Sequence, residues 1–199
     1  MIFSDKKIIL ASASPRRSQL LRQAGIAFEI KIPEVEESYP EELPVEEVAP
    51  FLAKKKAEAA RSFIVDKEII LAADSVVILH GIIYEKPVDR ADAIRIIGQL
   101  SGQVHQVITG VCLLSKEKME VFSGISKVHF DRLSLEEIEY YVDTCQPFDK
   151  AGAYAIQEWI GLCKISRIEG TYANIMGLPV DLVYRKLQDW EGIGAKKPA

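Results

Sequence analysis

The chain has 199 residues, 48% of them hydrophobic, which suffices for one domain or two small lobes and excludes wholesale disorder. A net charge of −4 argues against a nucleic-acid partner, which needs a basic field, and is compatible with a local basic pocket for a small anionic substrate. The three cysteines form no CxxC pair and indicate neither a disulfide framework nor a zinc site. The sequence shows no secretory leader and no apolar run of membrane length, and we therefore expect a cytoplasmic protein with no membrane partner.

The first stretch, 8–21, reads as a short apolar strand, a loop of small residues and the start of a helix. Ser14 and Pro15 are typical of a helix N-terminus, where unpaired N–H groups and the helix dipole attract anions. Arg16 and Arg17 lie in the first turn, where the dipole disfavours cations. Two interpretations stay open: the arginines bind a phosphate between them, or they are solvated on a surface helix.

An acidic segment follows a predicted strand over 28–32 that has one solvent-exposed face. This segment, 34–47, is interrupted by prolines, and we expect it to be an exposed loop that leads into a helix. Glu36 and Glu37 within it are candidate metal contacts, although acidic loop residues are more often simply solvated.

The next predicted helix spans 48–63 and carries three adjacent lysines. Pro50 should lie in its first turn or kink it, because proline has no backbone N–H for a helix interior. Adjacent helical residues point about 100° apart, so no more than two of the lysines can face one site. We expect Lys54 and Lys55 to be solvated, which leaves Lys56 as the candidate.

The stretch 69–79 is almost wholly apolar but carries one acid, Asp74, in its middle. A buried carboxylate is costly unless it is paired, hydrogen-bonded or bound to metal, which favours a functional role. The alternatives are an aspartate that caps a neighbouring turn or one that faces solvent at a bulge. His80 and Gly81 then predict a tight hairpin turn, and Lys86 adds a cation at the end of the short return strand.

The remaining predicted elements alternate between helices and strands and include a long hairpin. They are a helix capped by Asp89 and ending at Leu100, antiparallel strands over 103–114 and 119–131, a helix begun by the capping box Ser134 and Glu137, a strand over 161–168 and a last helix from Pro179. His105 and Thr109 share one strand face, and a lone strand histidine is more often packed than a ligand. The segment 149–157 is rich in small residues, and its Gln157 can both donate and accept hydrogen bonds, as reading a base edge requires.

These elements predict an α/β fold with a mixed, twisted sheet flanked by helices. We expect the hairpin to form an arm or a second lobe, and residues 1–189 to form a single domain, as one unit or as two lobes around a cleft. Residues 190–199, from Trp190 onward, are expected to be a loose tail. No GxGxxG follows a strand and no Walker A motif is present, which excludes a simple Rossmann or P-loop protein.

Seven short blocks, in order along the chain, resemble the Maf family of nucleoside triphosphate pyrophosphatases. They are LASASPRR at 10–17, LAKKKA at 52–57, AADS at 72–75, EKP at 85–87, LSGQVHQVITGV at 100–111, DKAGAYAIQ at 149–157 and MGLP at 176–179. The resemblance extends from about residue 8 to residue 187, and it implies a Maf/ITPase-like fold.

The resemblance implies an enzyme with a housecleaning role that hydrolyses a nucleoside triphosphate between the α- and β-phosphates, giving a monophosphate and pyrophosphate. It also implies a divalent cation, Mg²⁺ or Mn²⁺, as cofactor and a homodimer as the assembly. Asp74 matches the family's proton acceptor and can also hold the metal. Glu36 and Glu37 fall in the segment that helps to hold metal. The family's phosphate-contacting positions are matched by Ser12, Arg16, Lys56 and Lys86.

Three positions imply the pyrimidine branch of the family, which acts on dTTP and UTP, rather than the branch that acts on 7-methyl-GTP. These positions are Arg17, Ser75 and Gln157. Gln157 can pair with the O4 and N3–H edge that uracil and thymine share. The chain departs from the branch at Ser75, where threonine is usual, and at Ala155, where glycine is usual. Both departures leave dTTP and UTP the favoured substrates.

Two rival functions stay open. One is a 7-methyl-GTP or modified-purine pyrophosphatase of the same fold, against which Gln157 and the intact block at 149–157 argue. The other is a nucleotide-binding regulator of cell division that needs no turnover. Such a regulator would use the cationic residues but would have no use for Asp74 in an apolar strand.

Overall fold

The structure, a computed structural model of the chain, describes residue 3 and residues 7–190. Its strands are β1 (Ile8–Leu10), β2 (Glu29–Ile30), β3 (Ile69–Leu79), β4 (Ile82–Tyr84), β5 (Val104–Leu114), β6 (Met119–Phe130) and β7 (Ile165–Glu169). Its helices are α1 (Pro15–Gln23), α2 (Val45–Ala59), α3 (Arg90–Leu100), α4 (Leu135–Cys145), α5 (Trp159–Cys163), α6 (Tyr172–Met176) and α7 (Val180–Gln188), with 3₁₀ turns at Ala60–Phe63 and Ala151–Ala153. None of these described helices has the length and apolarity needed to cross a membrane.

One mixed sheet contains all the described strands, in the order β2-β1-β3-β5-β6-β7, with β4 paired to β3. β1 runs parallel to β2 and β3, whereas the other pairs are antiparallel. The predicted long hairpin is formed by β5 and β6, which pair from Val104 with His129 to Leu114 with Met119. The hairpin therefore lies inside the central sheet.

Strand β3 is paired almost throughout by β5 on one edge, but only at its two ends on the other edge. There β1 pairs with residues 69–71 and β4 pairs with residues 77–79. Within the described chain, no strand pairs with residues 72–76 on that edge. Asp74 lies in the middle of this gap and is 9% exposed. The gap gives a ligand access to a strand that is otherwise buried.

Helix α2 packs across the sheet and approaches β5 very closely at Gly110. A Cβ atom on Gly110 would lie 2.2 Å from the Pro50 nitrogen and 2.3 Å from the Ala49 carbonyl carbon, so the helix can approach only a glycine here. Helix α2 begins at Val45, so the predicted start at residue 48 was wrong, and of the two positions expected for Pro50 the first turn is excluded, since the proline lies in the helix interior. Burial of five apolar α2 side chains against the sheet offsets the cost of the internal proline, about 3 kcal/mol.

Two groups of buried apolar side chains lie at opposite ends of the long strands. The first group packs α1 and α7 against the end of β3 that pairs with β1. The second packs α3 and α4 against the end of β3 that pairs with β4, and against the facing ends of β5 and β6. Both groups therefore pack against one sheet, with the gap of β3 between them.

Trp190 belongs to the first of these groups rather than to a loose tail. Its side chain is only 4% exposed, and the Lys118 ammonium lies 4.5 Å from its ring centroid. A large aromatic side chain just beyond α7 covers apolar surface that the helix alone leaves open. The rest of the predicted tail, 191–199, lies outside the described residues.

Two short elements differ from the sequence-based prediction, and α6 was not predicted. Residues 161–163, predicted to begin a strand, belong to α5. Periodicity cannot distinguish a strand from a helix in so short an apolar run. The helical turn also brings Gly161 against Ile156, where a Cβ atom would lie 1.7 Å from the carbonyl oxygen. The strand predicted over 28–32 is reduced to the two exposed residues of β2.

His105 is packed in the protein interior beside the second group of apolar side chains, as expected for a lone strand histidine. It is 1% exposed, its Nε2 lies 2.7 Å from the Tyr154 hydroxyl, and its ring packs edge-on against Phe130. Burial, with a smaller contribution from the charge of His129, lowers the pKa of His105 to about 3. The imidazole is therefore neutral in the folded protein at physiological pH.

Mild acid should destabilise the protein through His105. Below its ordinary pKa of 6.5 the unfolded chain takes up a proton that the folded chain does not bind, so stability falls as the pH falls. Between pH 7 and pH 5 the expected loss is about 2 kcal/mol. Urea unfolding of His105→Gln should show a weaker pH dependence in this range, while His80→Asn, at the exposed turn after β3, should keep the wild-type dependence. The same dependence in all three proteins would show that His105 is not the titrating group.

Candidate active site

A cavity of about 600 Å³ opens at the gap in β3. Its walls come from the loop between β1 and α1, the segment 32–39, helix α2, strands β3 and β4, and the segments 149–157 and 175–177. Nine of the ten predicted site residues line it: Ser12, Arg16, Arg17, Glu37, Lys56, Asp74, Ser75, Lys86 and Gln157. Glu36 does not line the cavity and its side chain is exposed, so the structure does not bring this predicted metal contact into the site.

Asp74, Lys56 and Glu37 form an ion cluster at the centre of the cavity wall. Lys56 Nζ lies 2.5 Å from Asp74 Oδ1 and 2.9 Å from Glu37 Oε1. The side chains of Lys56 and Asp74 are only 11% and 12% exposed. Asp74, the one acidic residue of the apolar strand β3, therefore contacts a cation on α2, Lys56. This ion pair compensates the cost of burying the carboxylate.

Only one of the three adjacent lysines on α2 reaches this cluster. Lys54 is exposed beside Glu58, and Lys55 donates to the carbonyl and hydroxyl oxygens of Ser38. The turn of the helix between neighbouring residues separates the three ammonium groups, as the sequence predicted. Lys55 also holds the loop 34–44 against α2, which places Glu37 near Lys56.

The carboxylate of Glu37 is stabilised in its ionised form. Partial burial disfavours the charge, but the hydrogen bond and charge of Lys56, with the charges of Lys86 and Arg17, outweigh burial and lower the pKa of Glu37. The cluster therefore offers two carboxylates, from Glu37 and Asp74, that converge on one cationic group.

This donor set fits a hard divalent cation. Mg²⁺ is commonly held by one or two carboxylates, with substrate phosphates and water completing its ligands. The described residues contain no group of three or more histidine, cysteine, aspartate or glutamate side chains placed to hold a metal. Asp74 and Glu37 would therefore bind a cation whose other ligands are phosphate oxygens and water.

Arg17 is held by three partners, two of them from distant parts of the chain. Its Nε donates to the Gly177 carbonyl (2.8 Å), its Nη1 to Ser12 Oγ (3.2 Å) and its Nη2 to Ser75 Oγ (3.1 Å). Burial lowers the pKa of Arg17, against the opposing charge of Asp74, but an arginine stays protonated at physiological pH. Arg17 thus joins α1 to β3 and to the loop after α6, and it donates to Ser12 and Ser75 of the cavity wall.

The hydroxyl of Ser12 presents a hydrogen-bond donor to the cavity. Ser12 Oγ accepts from Arg17 and also from the backbone N–H of Ser14, at 3.2 Å, so both of its lone pairs are used. Its proton is left for a ligand, which suits an anion. The Ser14 side chain makes no cap hydrogen bond, contrary to the cap expected from the sequence.

Arg16 is paired across the cavity with a loop residue that sequence analysis did not single out. Its Nη1 lies 3.1 Å from Asp149 Oδ2, and Lys150 Nζ lies 2.8 Å from Asp149 Oδ1. Partial burial disfavours ionisation of Asp149, but Lys150 and Arg16 outweigh it and lower its pKa. Because Asp149 is 62% exposed, a polyphosphate can replace it as the partner of Arg16.

Lys150 connects this pair to residues on both sides of Gln157. Its ammonium lies 3.3 Å from Glu158 Oε1, and Glu158 Oε2 accepts the hydroxyl proton of Tyr141. The Tyr141 oxygen in turn accepts from the backbone N–H of Ala155, at 3.1 Å. Lys150 lies inside the block at 149–157, but no local pattern predicts that Glu158 links it to Tyr141 of α4, and sequence analysis missed this part of the site.

Two predicted ligand-binding side chains are exposed and available. Lys86 and Gln157 both line the cavity, and neither forms a side-chain hydrogen bond or ion pair with any other residue that the structure describes. Lys86 can therefore approach a phosphate without first leaving a partner. The amide of Gln157 is free to rotate, so it can present either its donor or its acceptor end to a ligand.

The Maf-like protein family model matches residues 7–190, which contain the whole cavity. The chain belongs to the Maf-like protein family. Among curated relatives of this Maf-like chain is a dTTP/UTP pyrophosphatase of Bacteroides fragilis, 47% identical over 183 residues that cover 92% of this chain and 95% of the relative. Another, from Porphyromonas gingivalis, is also named dTTP/UTP pyrophosphatase and is 49% identical over 187 residues, covering 92% of this chain and 94% of the relative. Among solved structures, the Staphylococcus aureus Ham1 protein is 16% identical to this Maf-like chain, with a TM-score of 0.46. The match covers 63% of this chain and 72% of the Ham1 chain.

Proposed function

We propose that the protein is a nucleoside triphosphate pyrophosphatase that hydrolyses dTTP and UTP between the α- and β-phosphates, releasing a nucleoside monophosphate and pyrophosphate. Relatives at 47% and 49% identity that are named dTTP/UTP pyrophosphatase support this proposal. The observation that carries it is the cluster of Asp74, Lys56 and Glu37 in the gap of an otherwise buried strand.

A polyphosphate needs its charge neutralised before water can attack phosphorus. Arg16, Lys56 and Lys86 line one cavity and can each donate to phosphate oxygens, Lys86 without first leaving a partner, and Ser12 adds a hydroxyl donor. Arg16 can bind two phosphate oxygens with parallel hydrogen bonds once it leaves the exposed Asp149. These groups would hold the triphosphate along the β1–α1 loop.

The attacking water needs an acceptor for its proton. Asp74 binds Lys56 through Oδ1, and no hydrogen bond from the described residues occupies its Oδ2. This oxygen can therefore orient a water molecule and take its proton, the role of a general base. The ion pair with Lys56 fixes the direction of the carboxylate.

A divalent cation, Mg²⁺ or Mn²⁺, is part of the proposal. Asp74 and Glu37 would hold it, and it would supply positive charge to the phosphate oxygens as charge develops there. Lys56, which lies between the two carboxylates, keeps them oriented toward a common point.

Replacing Glu37 by Gln should weaken the use of the metal, since it removes one of two carboxylate ligands. The Mg²⁺ concentration for half-maximal pyrophosphate release should rise roughly tenfold or more, the range found when groups that orient metal ligands are removed. Glu36→Gln is the matched control, because Glu36 is the neighbouring residue outside the cavity, and its Mg²⁺ requirement should equal that of the wild type. A Glu37→Gln protein with the wild-type requirement would remove Glu37 from the metal site.

The base of the nucleotide would lie near Gln157, Ser75 and Arg17. The adaptable amide of Gln157 can pair with the O4 and N3–H edge of uracil and thymine. The alternative substrate, 7-methyl-GTP, would place a larger base carrying a positive charge in a wall where Arg17 already donates to Ser12 and Ser75. Like charges at this site disfavour the methylated purine.

The proposal is tested by pyrophosphate release from a panel of dTTP, UTP, CTP, the purine triphosphates and 7-methyl-GTP, with Mg²⁺ or Mn²⁺. Fast turnover of dTTP and UTP alone is the expected result. Preference for 7-methyl-GTP would overturn the assignment of substrate while leaving the reaction in place. Binding of nucleotides without turnover of any of them would favour a regulatory protein instead.

Two further parts of the proposal concern the cell and the assembly. We place the enzyme in the cytoplasm, where its nucleotide substrates are made, and we propose that it works as a homodimer. Light scattering of the purified protein should give twice the mass of the 22.2 kDa chain. A mass of one chain at working concentrations would contradict the dimer without affecting the chemistry.

A further inference from the structure

Four groups form a continuous line of hydrogen bonds beside the cavity: Arg17, Ser75, Thr109 and the Asn174 carbonyl. Arg17 Nη2 lies 3.1 Å from Ser75 Oγ, Ser75 Oγ lies 2.9 Å from Thr109 Oγ1, and Thr109 Oγ1 lies 3.1 Å from the Asn174 oxygen. Ser75 and Thr109 are direct partners across β3 and β5, so the sheet itself sets their separation. Thr109 is fully buried and does not reach the cavity.

The direction of the protons along this line is fixed by its two ends. A guanidinium can only donate, and a carbonyl can only accept. Thr109 must therefore donate its proton to the backbone carbonyl of Asn174, since two acceptors would otherwise face each other. Ser75 must then give its proton to Thr109 and accept from Arg17. One lone pair of Ser75 remains, and because Ser75 lines the cavity, this acceptor is what it presents to a ligand.

Gln157 cannot by itself distinguish uracil from cytosine. The two bases exchange donor and acceptor along the same edge, and an amide that turns over matches either of them. The Gln157 side chain has no hydrogen-bond partner in residues 7–190 that would hold it in one orientation. A group of fixed polarity is therefore needed for the choice between the two bases.

We infer that Thr109 is a specificity-determining positioning residue, which holds Ser75 as an obligate acceptor and so makes the cavity select bases with an N3–H donor, uracil and thymine, over cytosine. This inference rests on the proposed function, because it takes the ligand to be a pyrimidine nucleotide. Ser75 would accept from the N3–H of uracil or thymine, while the amide of Gln157 pairs with the group at position 4 of the base. Cytosine presents a bare N3 to Ser75, so two acceptors would face each other. The selection thus arises from a residue that never touches the nucleotide.

The test is the binding of the α,β-methylene analogues of UTP and CTP, measured by calorimetry. Thr109→Val removes the hydroxyl at nearly constant shape, and the Asn174 carbonyl keeps a donor, the backbone N–H of Gly177 at 3.0 Å. Ser75 then regains a proton that it can donate to cytosine N3. The matched control is Thr109→Ser, which keeps the hydroxyl, and Thr109→Ala is a second variant without it.

The wild type and Thr109→Ser should bind the UTP analogue roughly ten- to a hundredfold more tightly than the CTP analogue. This ratio is the effect expected when one hydrogen bond is matched in the first complex and mismatched in the second. Thr109→Val and Thr109→Ala should bring the ratio of the two affinities close to one. If Thr109 had only a structural role, its replacement would lower both affinities and leave their ratio unchanged, and this result would overturn the inference. Loss of selectivity in Thr109→Ser, which keeps the hydroxyl, would overturn it as well. Selective binding of the UTP analogue by a wild type that does not hydrolyse UTP would refute the proposed function and leave this inference standing.

Discussion

Asp74→Asn should lower the rate of pyrophosphate release from UTP by roughly 10²–10⁴-fold, the contribution expected of a positioned general base. The amide has nearly the volume of the carboxylate, so the packing of β3 is kept. It cannot accept a proton from water, and it also removes a negative charge 2.5 Å from the Lys56 ammonium. Rates should be measured at saturating nucleotide and metal, so that weaker binding does not contribute to the loss.

The matched control is Asp131→Asn, the same change at an exposed carboxylate just after β6. It should retain the wild-type rate. Calorimetry with the α,β-methylene analogue of UTP should show that Asp74→Asn still binds nucleotide, since the cationic residues are intact. An Asp74→Asn protein with more than about a tenth of the wild-type rate would exclude Asp74 as the base.

Gly110→Ala should be the most destabilising small substitution in the sheet. The added methyl group would meet backbone atoms, at 2.2 Å from the Pro50 nitrogen and 2.4 Å from the Pro50 Cα, and backbone cannot turn aside as a side chain can. Relief requires α2 to move away from β5, and overpacking of this kind costs about 3 kcal/mol or more. Chemical unfolding should show this loss, with a melting temperature roughly 6–12 °C lower.

The matched control is Gly98→Ala, in α3, where an added Cβ meets nothing within 4 Å. It should stabilise the protein by about 0.5–1 kcal/mol, because alanine loses less conformational freedom than glycine in a helix. The same substitution therefore has opposite effects at the two sites. A Gly110→Ala protein as stable as the wild type would mean that α2 does not lie as close to β5 as described. Since α2 carries Lys56, any shift of the helix should also reduce turnover.

Local patterns predicted the elements on which the site is built. The apolar run with its central acid predicted β3 with the bounds that the structure has. The turn predicted at His80 and Gly81 is confirmed by a positive φ at both residues. The capping box at the start of α4 also forms as expected. Each of these patterns lies within a few neighbouring residues, so it can be recognised in the sequence without knowledge of the fold.

Contacts between distant parts of the chain could not be predicted in this way. Arg17 binds Gly177, which is 160 residues away, and nothing in the spacing of either residue indicates the contact. The interior position of Pro50 depends on the packing of α2 against the sheet rather than on local preference. Resemblance to a family therefore supplies a set of candidate residues, nine of which line one cavity, whereas their hydrogen bonds follow only from the three-dimensional structure.

The central claim is that the triphosphate is cut between the α- and β-phosphates, and the most direct test is to identify the products of UTP by ³¹P NMR with Mg²⁺ present. UMP and pyrophosphate in equal amounts are the predicted products. UDP and inorganic phosphate would show cleavage at the terminal phosphate and would contradict the account.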